Sequence, residues 1–475
     1  MTDTAADLSV HFADACAHTR YDDLPRPAAE AAKKSILDTL GVILAASGTE
    51  PAVTGVLDLA REIGGRGEAS ILPLTGLYPA TEAAFANGAM AHCLDFDDQT
   101  PWGQHCASSI VPAVLALAER KGDVEGRRLI TAVAVGQDLF ARLRRNVAWR
   151  KDWNLSSVLA VYAATAASAK ILELSADSTK HALGIASMHS AGVMEMVCGT
   201  GSSLRGMYAG FSARGAVNAT LLAERGVTGI ERLFEGEYGI LATYFGGRYD
   251  REAMLDGLGH TFQGADTLYK AWPSVGTSHS HIQATIDLVT AHDLTEDDIS
   301  EIRVHVGDYH DLMCRPLDAR RAPVTLADAK FSLPFLVGLA AVRRDVGIID
   351  FTLDSLRDAQ VTRAAAKVVP VPDPELDWVT ELPAGRVRIV VRDGRILDGV
   401  GDRVPGSLER PMTWDELDRK FADCAAVAAR PTPADQIARV QTAVRDLESV
   451  SDAAELTRLL TSDTTPDLER LGGIQ

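Results

Sequence analysis

Features that mark secreted, membrane-spanning or nucleic-acid-binding proteins are scarce in this sequence. The six cysteines are scattered over 475 residues without a C-x-x-C pair, which predicts reduced thiols in a cytoplasmic protein. The N-terminal segment MTDTAADLSVHFADACAH has neither a basic nor an apolar region, so we expect no signal peptide. No apolar run approaches the roughly 18 residues of a membrane span. The net charge of −18 disfavours nucleic acid, because phosphates are bound by clustered lysine and arginine. A small-molecule enzyme fits better.

Motifs of common nucleotide-dependent and serine enzymes are also missing. There is no G-x-x-x-x-G-K-[ST] loop, no G-x-S-x-G elbow and no G-x-G-x-x-G opening a βαβ unit. The glycine-rich segment GTGSSLRGMYAG (199–210) therefore does not predict a phosphate loop. Its Arg205 is better suited to a carboxylate, since a guanidinium can make two parallel hydrogen bonds to it. A surface or core-bridging arginine is the alternative interpretation.

What the sequence does contain, up to about residue 267, is a succession of alanine-rich segments with helical periodicity. In RLITAVAVGQDLFARLRR the apolar positions recur at spacings of three and four, which places them on one helix face. Glycine, proline or aspartate separates most of these segments. The pattern predicts a many-helix bundle, with helices over 26–46, 79–91, 108–121, 156–173, 178–190, 205–225 and 250–260.

The periodicity changes after residue 267. EIRVHVGD (301–308) alternates apolar and polar residues, and RVRIVVRDGRILDGV (386–400) contains two strand-like runs around Asp393-Gly394, a hairpin signal. The last segment returns to helical periodicity and is expected to pack on the first. The predicted fold class is therefore mainly α, with a large all-helical domain and a smaller α+β domain. The predicted boundaries are 1–267 and 406–475 for the helical domain and 268–405 for the α+β domain.

The densest cluster of polar side chains lies in AHCLDFDDQTPWGQHCASS, just before a predicted helix that begins near Ser108. Within fourteen positions it holds His92, Asp95, Asp97, Asp98 and His105. A helix N-terminus carries unpaired N–H groups and a positive dipole, which suit a substrate carboxylate. The imidazoles and carboxylates beside it could transfer protons. Equally open is the interpretation that the aspartates cap helices and His92 is a core histidine.

A second cluster, LYKAWPSVGTSHSHIQ, places Lys270, His279 and His281 at the predicted domain junction, where binding clefts are common. A metal pair of His279 and His281 is the weaker interpretation, because no third ligand follows at a recognisable spacing. We therefore predict no metal site. For Lys270 the alternative is a solvated surface lysine.

Five motifs, taken in order, resemble the MmgE/PrpD family, which includes 2-methylcitrate dehydratase, cis-aconitate decarboxylase and iminodisuccinate epimerase. They are HCLDFDD with the following histidine, PAVLALAE, the segment LRGMYAGFSARGAVNATLLAERGVTGIERLFEGEYG, K-x-W-P with H-x-x-I-x-A, and AKFSLPF. The resemblance implies a helical domain completed by the C-terminal tail, an α+β lid domain and a homodimer. It also implies a site between the domains that needs no organic cofactor or metal and moves a proton beside a carboxylate of a di- or tricarboxylate.

The resemblance also implies site residues, position by position. The predicted catalytic residues match the family's acidic, imidazole and K-x-[YW]-P…H positions and are Asp95, His105, Lys270 and His279. At five further positions the chain departs from its relatives, with Gln99 for threonine, Asn154 for histidine, Arg205 for lysine, Tyr208 for histidine and Phe335 for tyrosine.

These departures reduce the proton-transfer capacity of the site. Asparagine and phenylalanine cannot shuttle a proton, and an arginine is effectively always charged. We hypothesise that Arg205 and Lys270 bind a substrate carboxylate while His105 or His279 removes a proton from the adjacent carbon. Asp95 would orient a histidine, and cations and the helix end would stabilise the developing charge. The predicted substrate-binding residues are Arg205, Asn154, Gln99, Tyr208 and Ser108.

Three functions remain open on the sequence. A lyase would eliminate water, another group or CO2 from a carboxylate substrate. An isomerase or epimerase would need only removal and return of a proton at one carbon, and the replaced positions shift weight toward it or toward a specialised substrate. A non-catalytic relative would bind without turnover. The expected partners are a small carboxylate substrate and a second copy of the chain, with no membrane and no nucleic acid.

Overall fold

Helices dominate the structure, a computed structural model that describes residues 6–199 and 201–461. Helix accounts for 58% and strand for 8%, which confirms the mainly α fold class with a smaller α+β part. Up to residue 267 the helices are α1 (Leu8–His18), α2 (Arg26–Thr49), α3 (Val53–Ile63), α4 (Ala80–His92), α5 (Ala107–Lys121), α6 (Gly126–Arg145), α7 (Leu155–Leu172), α8 (Ala176–Ala186), α9 (Glu195–Cys198), α10 (Tyr208–Glu224), α11 (Ile240–Phe245) and α12 (Arg251–Leu255). A small antiparallel sheet among them consists of β1 (Ala69–Ser70) and β2 (Leu77–Tyr78).

Two expectations about these helices are corrected. The helix predicted over 250–260 ends at Leu255, because Gly257 and Gly259 adopt left-handed φ values of 60° and 80°. Helix α7 is long and apolar enough to cross a membrane, whereas no such run was expected, and the bent pair of α2 and α3 also passes that test when taken together. Inside the protein 89% of α7 is buried, as is usual for the core helix of a globular protein.

Close crossing of α4 and α10 positions the candidate site. A Cβ atom on Gly88 of α4 would lie 2.9 Å from the Cα atom of Gly210 in α10, so the two backbones meet where neither residue has a side chain. The crossing brings His92, the last residue of α4, beside Tyr208, the first residue of α10. Their ring centroids are 4.3 Å apart.

Residues 268–405 form a four-stranded sheet with helices packed against it. The strands are β3 (Ile299–Val306), β4 (Val368–Pro372), β5 (Gly385–Val391) and β6 (Ile396–Gly401), in the order β4-β3-β5-β6. The helices are α13 (His279–Ala291), α14 (Asp308–Leu312), α15 (Leu317–Arg321), α16 (Leu326–Lys330), α17 (Leu333–Arg343) and α18 (Ala359–Ala366). Strands β5 and β6 form the antiparallel hairpin predicted around Asp393-Gly394.

Strand β4 was not predicted from the sequence. It pairs in parallel with β3 and contains Pro370 and Pro372, which lack the N–H group that a central strand would donate. Because β4 lies at the edge of the sheet, it needs only one partner, and the prolines are tolerated.

The C-terminal tail packs on the first helices. It contains α19 (Trp414–Ala426), α20 (Ala434–Arg445) and α21 (Ala454–Leu460). The buried side chains of Phe421 and Val440 belong to the same hydrophobic core as α2 and α4 to α7. Lys420 Nζ lies 2.7 Å from Oδ1 of Asp38 in α2, which links the tail to the first segment. The domain boundaries at 267 and 405 themselves stay predictions.

Candidate active site

A cavity of about 60 Å³ lies where the first helices meet the sheet-containing part of the chain. One wall comes from the segment up to residue 267, and the facing wall includes Val275, Thr277, Tyr309, Phe331 and Trp378. Six of the nine predicted site residues line it: Asp95, Gln99, His105, Asn154, Arg205 and Tyr208. The structure therefore brings together most of the residues that the motifs singled out.

Asp95 and Lys270 form a buried ion pair. The Lys270 ammonium group donates to the Asp95 carboxylate and, at 3.0 Å, to the Asp95 backbone carbonyl. Lys270 is only 1% exposed, so the interpretation as a solvated surface lysine is wrong. Burial alone would raise the pKa of Asp95, but the Lys270 ammonium and the imidazoles of His105 and His92 together outweigh burial and hold that pKa below its usual value. Asp95 is therefore an anion in a left-handed conformation with φ 48°, which is uncommon outside glycine.

His105 has one ring nitrogen engaged and the other available. Its Nδ1 atom is hydrogen-bonded to the backbone carbonyl of Asp98, and since a carbonyl only accepts, Nδ1 carries the proton. Nε2 is left with its lone pair, 3.6 Å from Oδ1 of Asp95. Burial lowers the pKa of His105 to about 4, so the ring is neutral at pH 7. These are the properties of a general base.

His92 and Asp97 lie beside His105. His92 Nδ1 is 2.9 Å from Oδ2 of Asp97, and the rings of His92 and His105 are 4.8 Å apart. Burial opposes ionisation of Asp97, but the imidazoles of His92 and His105 and the Lys270 ammonium together hold its pKa well below the usual range. His92 is therefore a core histidine whose Nδ1 has a hydrogen-bond partner, which is one of the two interpretations left open on the sequence. It also lines the cavity.

Arg205 brings positive charge to the cavity. It is 6% exposed, one of its terminal nitrogens donates to the Val197 carbonyl, and its guanidinium lies 3.1 Å from the centroid of the Phe331 ring. Its Nε atom is buried without a hydrogen-bond partner, and within residues 6–199 and 201–461 no carboxylate pairs with it. Burial lowers the pKa of Arg205 to about 10, which leaves it charged at neutral pH. An unpaired buried cation of this kind favours an anionic ligand.

Asn154 and Gln99 are held by the backbone around them. Asn154 caps α7, and because its Oδ1 accepts from the N–H of Ser156 at 2.9 Å, its amide N–H groups remain for a ligand. Gln99 pairs through its backbone with Leu268. Its side chain occupies the place where a Cβ atom of Gly276 would lie, with only 1.8 Å between that position and Gln99 Oε1.

Lys270 and His279 face a neighbouring cavity of about 330 Å³ instead. Gln99 and Gly276 line both cavities, whereas Arg205 lines only the first. Burial lowers the pKa of His279 to about 3, and its Nε2 lies 3.3 Å from the Ser274 carbonyl. The hypothesis that Arg205 and Lys270 bind one carboxylate together is therefore not supported by this arrangement.

Ser108 is placed away from the cavity. It is fully buried in α5, and the end of that helix is occupied by Asp98, whose Oδ1 accepts from the N–H of Ala107 at 3.2 Å. Burial and the nearby charge of Asp97 raise the pKa of Asp98 well above its usual value. The cap interpretation is thus correct for Asp98, and this helix end is not open to a substrate.

One set of side chains could hold a metal ion. His92, Asp95, Asp97 and His105 each offer a ligand atom, and these atoms lie within 4.8 Å of one another. The Lys270 ammonium on Asp95 would oppose a further cation there. The pair considered on the sequence does not converge, because His281 Nε2 lies 2.9 Å from the His305 carbonyl, beside the ring of His310.

Comparison with known proteins shows the family of the chain. The model of the MmgE/PrpD N-terminal domain matches residues 10–252, and the model of the MmgE/PrpD C-terminal domain matches residues 272–446. The chain belongs to the MmgE/PrpD family. This MmgE/PrpD chain is 26% identical over 470 residues to a cis-aconitate decarboxylase-like protein, oryM, of Aspergillus oryzae, covering 93% of this chain and 94% of the relative. The cis-aconitate decarboxylase of Aspergillus terreus is 26% identical (92% and 93% covered) and that of Mus musculus 24% (92% and 89%).

The sequence did not predict several of the residues that line the cavity in this MmgE/PrpD protein. Tyr309, Phe331, Trp149 and Trp378 line it, but none of them was singled out as a candidate site residue. Aromatic residues are ordinary core residues in a sequence, and only the packing of the two parts of the chain reveals them as a wall. Phe335, by contrast, is 1% exposed in the hydrophobic core and does not line the cavity.

Proposed function

We propose that this protein is a cofactor-independent lyase that transfers a proton beside a carboxylate of a small di- or tricarboxylate, by dehydration or decarboxylation. The observation that carries the proposal is a single cavity lined by an unpaired guanidinium, Arg205, and by a neutral imidazole, His105, which has the Asp95 carboxylate next to it. Membership of the MmgE/PrpD family and the decarboxylase relatives support a lyase acting on a carboxylate.

In a dehydration, the first step is proton removal by His105. Nε2 takes the proton from the carbon next to the carboxylate, the C–H bond breaks, and its electron pair is delocalised into that carboxylate. Arg205 stabilises the negative charge that develops on the carboxylate oxygens. Asp95, 3.6 Å from Nε2, stabilises the imidazolium that forms.

Elimination then needs a proton for the departing hydroxyl group. Tyr208 lines the cavity, and burial together with the charge of Asp97 raises the pKa of Tyr208 well above its usual value, so the phenol keeps its proton. We assign the donor role to Tyr208 rather than to Lys270 or His279, since these two side chains face the neighbouring cavity. In a decarboxylation the C–C bond to the carboxylate breaks, CO2 leaves, and the electron pair left on carbon takes the proton of the Tyr208 phenol, which water then replaces.

An isomerase or epimerase is the second candidate. It requires only removal and return of a proton at one carbon and no acid for a leaving group. The observation that favours it is that Lys270 and His279, two side chains that could protonate a leaving group, lie outside the cavity of His105 and Arg205.

Incubation in D2O with cis-aconitate, 2-methylcitrate and iminodisuccinate, followed by proton NMR, separates these functions. An alkene product or loss of CO2 identifies the lyase. Deuterium uptake without loss of mass identifies the isomerase. No change in any of these substrates, under conditions in which the protein remains folded, would contradict the proposal and favour a non-catalytic binding protein. The His105→Ala variant is the control for residual activity of contaminating enzymes.

We further propose that the enzyme acts in the cytoplasm, as its free cysteines suggest, and that it is a homodimer, as the family resemblance implies. Sedimentation velocity across a range of protein concentrations measures the oligomeric state, and a single monomeric species would contradict the dimer.

A further inference from the structure

Arg144, near the C-terminal end of α6, is a second buried cation close to the cavity. It is 3% exposed, and its guanidinium lies 5.5 Å from the ring centroid of Trp149 and 5.9 Å from that of Trp378, both of which line the cavity. No carboxylate pairs with it among the residues that the structure describes. Burial lowers the pKa of Arg144 to about 10, so it remains charged at neutral pH. A buried charge without a counterion is costly unless a ligand supplies one.

Arg144 fixes the orientation of Gln104. Its Nε atom donates to Gln104 Oε1, and Nη2 donates to the Trp102 carbonyl at 2.8 Å. Because a guanidinium has only donors, the amide oxygen of Gln104 must face Arg144 and the amide nitrogen must face away. Gln104 lines the cavity, and its amide nitrogen has no hydrogen-bond partner in the described part of the chain. Two N–H donors are therefore left for a ligand.

An uncommon backbone conformation holds Gln104 in this position. Gly103 and Gln104 have consecutive left-handed φ values of 73° and 63°. The turn is closed by hydrogen bonds from the Thr100 N–H to the Gln104 carbonyl, 3.0 Å, and from the Gly103 N–H to the Thr100 carbonyl, 2.9 Å. A Cβ atom at Gly103 would lie 2.3 Å from the Trp378 ring, so only glycine fits there. A left-handed non-glycine residue is a feature that clusters at ligand-binding sites.

We propose that Gln104, held and polarised by Arg144, binds a second carboxylate of the substrate, at a point separate from Arg205. Arg205 contacts Val197 and Phe331, whereas Arg144 contacts Trp102, Trp149 and Trp378, so the two cations have separate sets of neighbours around the cavity. The ligand class is therefore a dicarboxylate whose two groups reach Arg205 and Gln104 together. This inference rests on the proposed function and names the feature that selects its substrates.

Binding of matched ligands tests the inference without turnover. Isothermal titration calorimetry would compare succinate and glutarate with succinamate and glutaramate, in which one carboxylate is replaced by an amide of the same shape. For the native protein we expect each dicarboxylate to bind at least tenfold more tightly than its monoamide. The variant Gln104→Glu keeps a partner for Arg144 but presents negative charge to the ligand, so it should reduce that ratio to about one or below. Arg144→Met should reduce it as well.

The controls separate this inference from the proposed function. Arg145→Met removes the same charge from the adjacent, exposed position and should leave the ratio unchanged. Arg205→Lys should weaken dicarboxylates and monoamides alike, because the bidentate contact is lost. If Gln104→Glu folds with an unchanged melting temperature and keeps the native ratio, the inference is wrong while the proposed function stands. If no dicarboxylate binds the native protein, both fail.

Discussion

The protonation state of His105 is set by its immediate surroundings. Its Nδ1 proton is committed to the Asp98 carbonyl, and burial keeps the rest of the ring neutral. The same motif segment supplies Asp95, whose left-handed backbone places its carboxylate between Lys270 and His105. A base and the anion that stabilises its protonated form therefore come from one short loop.

Replacement of His105 by alanine should lower turnover by about 10²-fold or more, because general base catalysis contributes at least that much. The measurement is kcat with the best substrate found in the NMR screen, together with a circular dichroism spectrum to verify folding. The matched variant is His279→Ala, in the neighbouring cavity, which should have the smaller effect. A loss of less than tenfold in a folded His105→Ala protein would remove this residue from the mechanism.

The pH dependence of kcat/KM should also report His105. Since its pKa in the folded protein is lowered to about 4, the basic form persists down to that pH and is lost only below it, so kcat/KM should fall on the acid side near pH 4. An acid limb near the ordinary histidine value of about 6.5 would show that His105 is not buried as described or is not the base. Circular dichroism at each pH separates this titration from unfolding.

At the level of helices, the site depends on the contact between α4 and α10. His92 and Tyr208 are terminal residues of these helices, so any separation of the helices moves both side chains away from the cavity. Gly88 and Gly210 make the contact because two backbones can approach this closely only where side chains are absent.

Gly210→Ala should therefore destabilise the protein, since its Cβ would lie 2.4 Å from the Phe85 carbonyl oxygen, which belongs to the backbone and cannot swing aside. We expect a loss of about 1–3 kcal/mol in the free energy of unfolding, measured by urea denaturation, with reduced activity. Gly55→Ala is the matched control, because this glycine of α3 has open space around it and alanine there should stabilise the helix by up to about 1 kcal/mol. Equal stabilities for the two variants would contradict the packing argument.

At the level of the whole molecule, a chain of net charge −18 has three buried cations, within residues 6–199 and 201–461, at or next to the two cavities of the candidate site. Lys270 is paired with Asp95, whereas Arg144 and Arg205 have no carboxylate partner among the described residues. The C-terminal tail contributes a fourth buried cation, Lys420. It pairs with Asp38 and also donates to the backbone carbonyls of Phe96 and Lys270. The tail thus supports the loop that carries the site as well as the core.

Lys420→Met should destabilise the protein by about 3–5 kcal/mol, because it leaves the buried Asp38 without a counterion. Replacing both partners, Asp38→Leu with Lys420→Met, should cost clearly less than the single change, since no buried charge is then left unpaired. Thermal unfolding of the three proteins measures the difference. A double variant less stable than Lys420→Met would show that the ion pair is not what joins the tail to α2.

The local pattern of the chain was sufficient to predict the mainly α fold class, the β5–β6 hairpin and the cluster around Asp95 and His105. Helical periodicity and turn residues are local signals, so they can be read from neighbouring positions. Strand β4 was not predicted because its prolines argue against a strand. They are tolerated only because β4 lies at the edge of the sheet. Tyr309 and Trp378 were not predicted as cavity residues, because their place in the wall depends on residues that are distant in the sequence.

The sequence by itself determined most of the helices and strands, the family resemblance and the residue types available for proton transfer. Only the tertiary structure decided that His105 and Arg205 line one cavity while Lys270 and His279 line the next, and that Asp98 occupies the end of α5. It also brought Arg144 and Gln104, forty positions apart, into one hydrogen bond. The physical reason is that pKa values and ligand contacts depend on burial and on partners distant in the chain, which no local pattern specifies.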